Sequence, residues 1–195
     1  MRRIAIWVMA VIVVMLCAIP AGAKGQASSR QTANQVPAGL AADILGQWNR
    51  AGKLLLGMAQ DFPEDKLDYR PTPPVRTFAE QLLHATATSA AYAGLAQGIK
   101  PASFDEVENP SREKYKTRAQ IVAFIQKTFA DGAAVIQKYG DKGLLELVDS
   151  PSGKGKITRA GMFIFATAHV YDHYGQCAVY YRLNGLVPPA SRNPM

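Results

Sequence analysis

Residues 165–183 read FATAHVYDHYGQCAVYYRL, and their spacing is that of an α-helix with one distinctive face. Along that face lie Phe165, His169, His173 and Cys177, each four residues after the previous one. An interval of four residues places side chains on the same side of a helix, about one turn apart. We therefore expect the two histidines to project together from a single helix.

The remaining histidine of the chain, His84, lies in a second predicted helix. Residues 77–80 (TFAE) form a capping box, which predicts a helix that begins there and runs to about Gln97. Three neutral imidazoles leave one position of a tetrahedral ion open, which is typical of a catalytic or ligand-binding site. The sequence therefore predicts a divalent-metal site formed by His84, His169 and His173.

The same residues allow one alternative to this metal site and argue against one class of metalloenzyme. Histidines on an apolar helix also occur as core residues whose ring nitrogens bond to backbone or hydroxyl groups. A zincin-type peptidase is not expected, because Val170 occupies the position where an HExxH motif needs its glutamate. Cys177 shares the histidine face, and we interpret it as a small buried side chain or a neighbour of the site, not as a fourth ligand.

Other side chains near the histidines have more than one interpretation. Glu80 is expected to cap its helix, the alternative being a hydrogen bond to a metal ligand. Asp172 points partly away from the histidine face and is not expected to act as a base. Tyr92, Tyr174 and Tyr180 are candidates to line a pocket, although aromatic residues at helical spacing also form plain core.

The periodicity of apolar residues predicts four helices and an all-α fold. These helices cover about 38–61, 77–97, 117–139 and 158–183. The turn-rich link 140–157 is the one segment where a small hairpin is an alternative to a loop. The expected architecture is a four-helix bundle, in which side chains from facing helices build the metal site.

The N-terminus has the order of features found in a secretory signal peptide. Arg2 and Arg3 precede the apolar run 4–19, and the small residues 21–23 follow it. We expect residues 1–23 to be removed after Ala23, and the protein to be periplasmic or extracellular. An uncleaved N-terminal membrane anchor is the alternative.

The remaining chain consists of a polar leader, 24–37, and one domain, 38–195. Removal of the signal peptide leaves 195 − 23 = 172 residues and lowers the net charge from +7 to 22 − 2 − 15 = +5. The basic residues are scattered and no nucleic-acid motif is present, so a nucleic acid is not an expected partner. Contact with a membrane is expected only through the signal segment, if it stays uncleaved.

Three segments of the chain resemble a known family. Residues 169–191, together with 69–73 (YRPTP) and 78–84 (FAEQLLH), are similar to the signatures of the DinB-like (DinB/YfiT) proteins. The resemblance extends over roughly residues 40–192. It implies an up-down-down-up four-helix bundle that binds a divalent metal, zinc or nickel, through residues corresponding to His84, His169 and His173.

The resemblance also implies a range of functions. Characterised relatives resemble thiol-dependent transferases that use small thiols, which are mainly cytosolic. We expect a metal-dependent hydrolase or thiol transferase that acts on a small molecule, and the apparent export signal of this chain reduces the weight of the thiol-transferase interpretation. A non-catalytic module that binds a metal or a small ligand is the alternative. The sequence leaves the substrate, the catalytic residues and the native metal open, and a homodimer is one option for the oligomeric state.

Overall fold

The computed structural model describes residues 38–192, and this part of the chain is mostly helical. Its helices are α1 (Leu40–Asp61), α2 (Phe78–Leu95), α3 (Phe104–Glu108), α4 (Arg118–Leu144), α5 (Arg159–Leu183) and α6 (Pro189–Arg192), with a single 3-10 turn at Glu64–Lys66. Strands β1 (Leu147–Asp149) and β2 (Lys156–Thr158) form a two-stranded antiparallel hairpin before α5. The four long helices α1, α2, α4 and α5 carry the core.

Helices α1 and α4 pack against each other in opposite directions. At the start of α1, the backbone amide of Ala41 donates to the Asp141 carboxylate near the end of α4, at 2.8 Å. Just past the end of α1, the carbonyl of Phe62 accepts a hydrogen bond from Arg118 in the first turn of α4, at 2.6 Å. The pair is therefore antiparallel.

Helix α5 packs against α1 in the same direction and against α2 in the opposite direction. The Tyr181 hydroxyl, near the end of α5, donates to the carbonyl of Met58 near the end of α1. On α2, His84 contacts His169, whereas Gln81, three residues earlier, bonds to a residue further along α5. The four long helices therefore run up, down, down and up, as the family resemblance implied.

Trp48 of α1 joins three of the long helices at the centre of the core. Its side chain is fully buried, and its ring lies 4.8 Å from that of Phe129 on α4 and 5.3 Å from that of Phe163 on α5. The indole nitrogen donates to the carbonyl of Phe129 at 2.8 Å, so its polar atom is satisfied. Gly132 lets α4 approach this ring, because a Cβ there would lie 2.2 Å from Trp48.

The predicted helices are confirmed, with differences at their ends. Helix α4 continues past Tyr139 to Leu144 through a kink at Gly140, whose φ of 57° is accessible to glycine at little cost. The hairpin anticipated as an alternative for the link 140–157 is present. The short helix α3 lies between the predicted helices 77–97 and 117–139, where no helix was predicted. It forms because the Ser103 hydroxyl accepts from the amide of Glu106.

The predicted signal peptide 1–23 and leader 24–37 lie outside the described residues. Within residues 38–192, no helix combines the length and the apolar character needed to cross a membrane.

Adding a methyl group at Gly132 is expected to overpack the core against Trp48. The variant Gly132→Ala should lower the free energy of unfolding by about 1–3 kcal/mol, measured by urea denaturation. The control is Gly46→Ala, at an exposed position of α1 where an added Cβ meets nothing within 4 Å. That change should raise stability by up to about 1 kcal/mol, because alanine favours helix. Equal losses in the two variants would contradict the close contact described here.

Candidate metal centre

The three histidines meet between α2 and α5. The Nε2 atoms of His84 and His169 lie 3.2 Å apart. The ring centroids of His84 and His173 are separated by 4.7 Å, and those of His169 and His173 by 4.4 Å. One nitrogen from each ring can be chosen so that all three lie within 4.8 Å of one another. The described residues therefore contain a group of three imidazoles that could hold a metal ion.

The start of α2 is fixed by the capping box that the sequence predicts. The Thr77 hydroxyl accepts from the amide of Glu80 at 3.2 Å, and the Glu80 carboxylate accepts from the amide of Thr77 at 2.6 Å. The expectation that Glu80 caps the helix is thus confirmed. Since His84 lies one turn after Glu80, this cap sets the position at which His84 faces α5.

The tautomer of His84 is set by a backbone carbonyl. Its Nδ1 lies 2.8 Å from the carbonyl oxygen of Glu108, at the end of α3. A carbonyl can only accept, so Nδ1 of the neutral ring carries the proton and Nε2 keeps a free lone pair. The guanidinium of Arg76 donates to the same carbonyl at 3.0 Å and so holds it in place. The lone pair of His84 is thereby directed toward the other two histidines.

A chain of hydrogen bonds sets the tautomer of His173 in the same way. The Tyr180 hydroxyl donates to the carbonyl of Arg76, so its oxygen accepts from the amide nitrogen of Gln81. The Gln81 amide oxygen then faces His173 and accepts from its Nδ1 at 2.6 Å. The Nε2 atom of His173 is left with a free lone pair. Acceptors opposite the coordinating nitrogen are the usual way in which proteins orient histidine ligands of metals.

His169 shows a different feature that also fits a cation. Its Nδ1 is buried and has no hydrogen-bond partner among residues 38–192, so in a neutral ring one buried polar function stays unsatisfied there. Two nitrogens that share a tetrahedral zinc ion at about 2.0–2.1 Å are separated by about 3.3 Å. The observed 3.2 Å between His84 and His169 agrees with that separation. The donor set of three imidazoles therefore suits a divalent ion.

Burial keeps all three imidazoles in the neutral form that a metal requires. Loss of solvation lowers the pKa of His84 and of His169, and nearby positive or potentially positive groups lower them further. For His173, burial together with the neighbouring His169 and His84 lowers the pKa to about 4. At neutral pH the lone pairs are therefore not taken up by protons.

The acidic side chains around the site are occupied elsewhere. An oxygen of Glu108 lies 3.9 Å from Nδ1 of His84, on the side of that ring opposite Nε2. Its pKa is lowered chiefly by the hydrogen bond from Arg76. Asp172 is exposed and accepts a hydrogen bond from Gln176. Within residues 38–192, no carboxylate hydrogen-bonds to the three histidines.

Cys177 is fully buried, as expected for a small core side chain. Burial raises the pKa of its thiol, which opposes formation of a thiolate ligand. It is not part of the group of residues that could hold a metal. Of the tyrosines named from the sequence, Tyr180 takes part in the hydrogen-bond chain to His173, and Tyr92 stacks on Phe165.

The groups that orient the histidines were not predicted from the sequence. Gln81 precedes His84 by three residues, a spacing that places both side chains on the same helix face and was a usable signal. The carbonyl of Glu108 has no such signal, because any residue type supplies a carbonyl. The hydrogen bond from Arg76 to that carbonyl depends on the segment before α2 lying next to the end of α3, which sequence alone does not show.

A helical bundle with three convergent histidines defines a class of protein able to hold a divalent ion between its helices. Residues 47–177 match the sequence profile described as the DinB superfamily. This match spans more than half of the chain, and the protein belongs to the DinB superfamily. The resemblance found in the sequence is thereby confirmed.

Two crystal structures of DinB-like proteins are similar to this fold. One, from Bacillus subtilis, has a TM-score of 0.58 and 16% identity, covering 73% of this chain and 92% of its own. The other, from Bacillus cereus, has a TM-score of 0.60 and 18% identity, covering 75% of this chain and 93% of its own. At these identities the likeness establishes the fold alone. No curated protein matches the chain.

Removing the acceptor opposite His173 is expected to weaken metal binding. Gln81→Leu should lower the affinity for zinc about 10- to 100-fold, as measured by competition with a chromophoric chelator. Gln81→Glu keeps an oxygen that accepts from His173 and should recover most of the affinity. Gln97→Leu is the matched control, since its amide bonds only to the carbonyl of Ala93, away from the site. An unchanged affinity in Gln81→Leu would contradict the role given to this amide.

Proposed function

We propose that this protein is an exported member of the DinB superfamily that binds zinc or nickel through His84, His169 and His173. Its function is that of a metal-dependent hydrolase or transferase acting on a small molecule. The observation that carries the proposal is the convergence of three neutral imidazoles, two of them with their lone pairs directed inward by acceptors at Nδ1.

Three histidine ligands support a reactive site more than a purely structural one. Structural zinc sites use four protein ligands, whereas three ligands leave a position for a substrate or a water molecule. A divalent ion supplies Lewis-acid activation of a water molecule or a thiol in such a site. The protein residues supply the rest: Gln81 and the Glu108 carbonyl orient the ligands, and the buried surroundings exclude competing protons.

One observation favours a second candidate, a non-catalytic module that holds a metal or a small ligand. Within the described residues, the carboxylates of Glu108 and Asp172 are engaged by Arg76 and Gln176. Hydrolysis generally uses a general base to move a proton, and neither group is free for that task. Transfer to a thiol makes a smaller demand on a base, so it stays compatible with the site. The thiol would have to be present outside the cytoplasm if export is correct.

Removal of one imidazole is expected to abolish metal binding. The wild-type protein should bind zinc or nickel stoichiometrically, and metal at about 100 times its Kd should stabilise the fold by about 2.7 kcal/mol. His169→Ala should lose both the bound metal and this stabilisation, measured by elemental analysis and thermal denaturation. Val179→Ala, at a position 49% exposed on the same helix, serves as the control. Stoichiometric metal in His169→Ala would refute the site.

Export is tested separately from metal binding. Expression of the full chain in a bacterium should place the protein in the periplasm or medium. Its N-terminus should begin at Lys24, and its mass should correspond to 195 − 23 = 172 residues. A full-length chain in the membrane fraction would favour the anchor instead. A full-length chain in the cytosol would contradict export without affecting the metal centre.

A further inference from the structure

An aromatic pair lies at the edge of the three-histidine group. Of the three histidines, His169 is the least buried, whereas His84 and His173 are 4% and 5% exposed. One turn before His169 on α5 is Phe165, whose side chain is 45% exposed. The Phe165 ring stacks on that of Tyr92 with centroids 4.4 Å apart and planes at 17°. Solvent therefore reaches His169 beside an exposed aromatic ring.

The Phe165 ring also lies next to His169, a candidate metal ligand. The centroids of Phe165 and His169 are 5.9 Å apart and their planes are inclined by 30°. Tyr92, Phe165 and His169 thus form a row of three rings, of which only the last belongs to the histidine group. An exposed phenylalanine at such a place has no packing role on its outer side, so its exposed face is available to a ligand.

Within the described residues, a hydroxyl that no protein group bonds lies on α2 between His84 and Tyr92. Thr88 is one turn from His84 and one turn from Tyr92 on the face of α2 that meets α5. Thr88 is 6% exposed, but its hydroxyl oxygen is not among the buried, unpartnered atoms of residues 38–192, so solvent reaches it. Thr86, by contrast, donates to the carbonyl of Leu82 at 2.7 Å. The Thr88 hydroxyl can therefore exchange a hydrogen bond with water for one with a ligand.

We propose that Phe165, Tyr92 and Thr88 form the binding site for the organic part of the substrate. This site selects a small molecule with a flat aromatic or conjugated group next to the atom that reaches the metal, and with a polar atom within reach of Thr88. The inference rests on the proposed metal centre. It adds a substrate class that the histidines alone do not define.

The test uses hydroxamates, which bind zinc through the same group whatever their substituent. Binding of acetohydroxamate, cyclohexanecarbohydroxamate and benzohydroxamate to the zinc-loaded protein is measured by calorimetry. Benzohydroxamate should bind about tenfold more tightly than acetohydroxamate, and also more tightly than the cyclohexyl compound, because only a flat ring stacks on Phe165. Equal affinities for the phenyl and cyclohexyl compounds would overturn the stacking.

Variants assign the preference to particular residues. Phe165→Ala should reduce the phenyl preference about three- to tenfold while leaving zinc stoichiometry and acetohydroxamate affinity unchanged. Phe165→Leu, which keeps apolar bulk, should lose the preference in the same way and covers the case in which the alanine variant folds poorly. Ile164→Ala, at a neighbouring position that is 59% exposed, is the control and should retain it.

The hydroxyl is tested with a matched pair of threonines. Thr88→Val should weaken the binding of all three hydroxamates about three- to tenfold, whereas Thr86→Val should not, because the Thr86 hydroxyl is already bonded within its helix.

A phenyl preference that survives both Phe165 variants would overturn the aromatic site alone, with zinc still bound. Failure of the wild-type protein to bind zinc would overturn the metal centre and this inference together.

Discussion

The hydrogen bonds at Nδ1 of His84 and His173 are the constraint on which the rest of the site depends. Burial keeps these rings neutral, but a neutral imidazole has two tautomers, and only one of them directs a lone pair at the centre. The Glu108 carbonyl and the Gln81 amide select that tautomer. In the described part of the chain His169 has no such acceptor, so its orientation depends on packing and on its contacts with the other two rings.

The packed helices hold the backbone of the three histidines in place. Polar groups on α2, at the end of α3 and in the segment before α2 then orient the histidine rings. Trp48 ties α1 to α4 and α5 by ring contacts and a hydrogen bond, which fixes the helix that carries His169 and His173. The antiparallel packing of α2 on α5 then brings His84 opposite them. Sites built on packed helices hold their side chains more precisely than sites built on loops.

Local signals explain which parts of this arrangement could be predicted from the sequence. The capping box at Thr77 and the i, i+4 spacing of His169 and His173 are encoded within a few residues, and both are confirmed. The position of His84 opposite this pair depends on how two helices pack, which local sequence does not show. The family resemblance implied that packing. The short helix α3 escaped prediction because five residues carry too little periodicity. This helix contributes to the site through the backbone oxygen of Glu108. Every residue type has such an oxygen, so the sequence gives no signal for it.

Arg76 is connected by hydrogen bonds to the partners of two different histidines, through its side chain to one and through its backbone and Tyr180 to the other. Its guanidinium steadies the carbonyl that faces His84, while its own carbonyl anchors the tyrosine at the far end of the chain leading to His173. A single residue between the first two long helices thus underlies two of the three ligands. Displacing this connecting segment would misalign both imidazoles simultaneously and leave only His169. The geometry of the three-histidine group is therefore coupled to the order of a stretch of irregular backbone that lies outside both helices of the site.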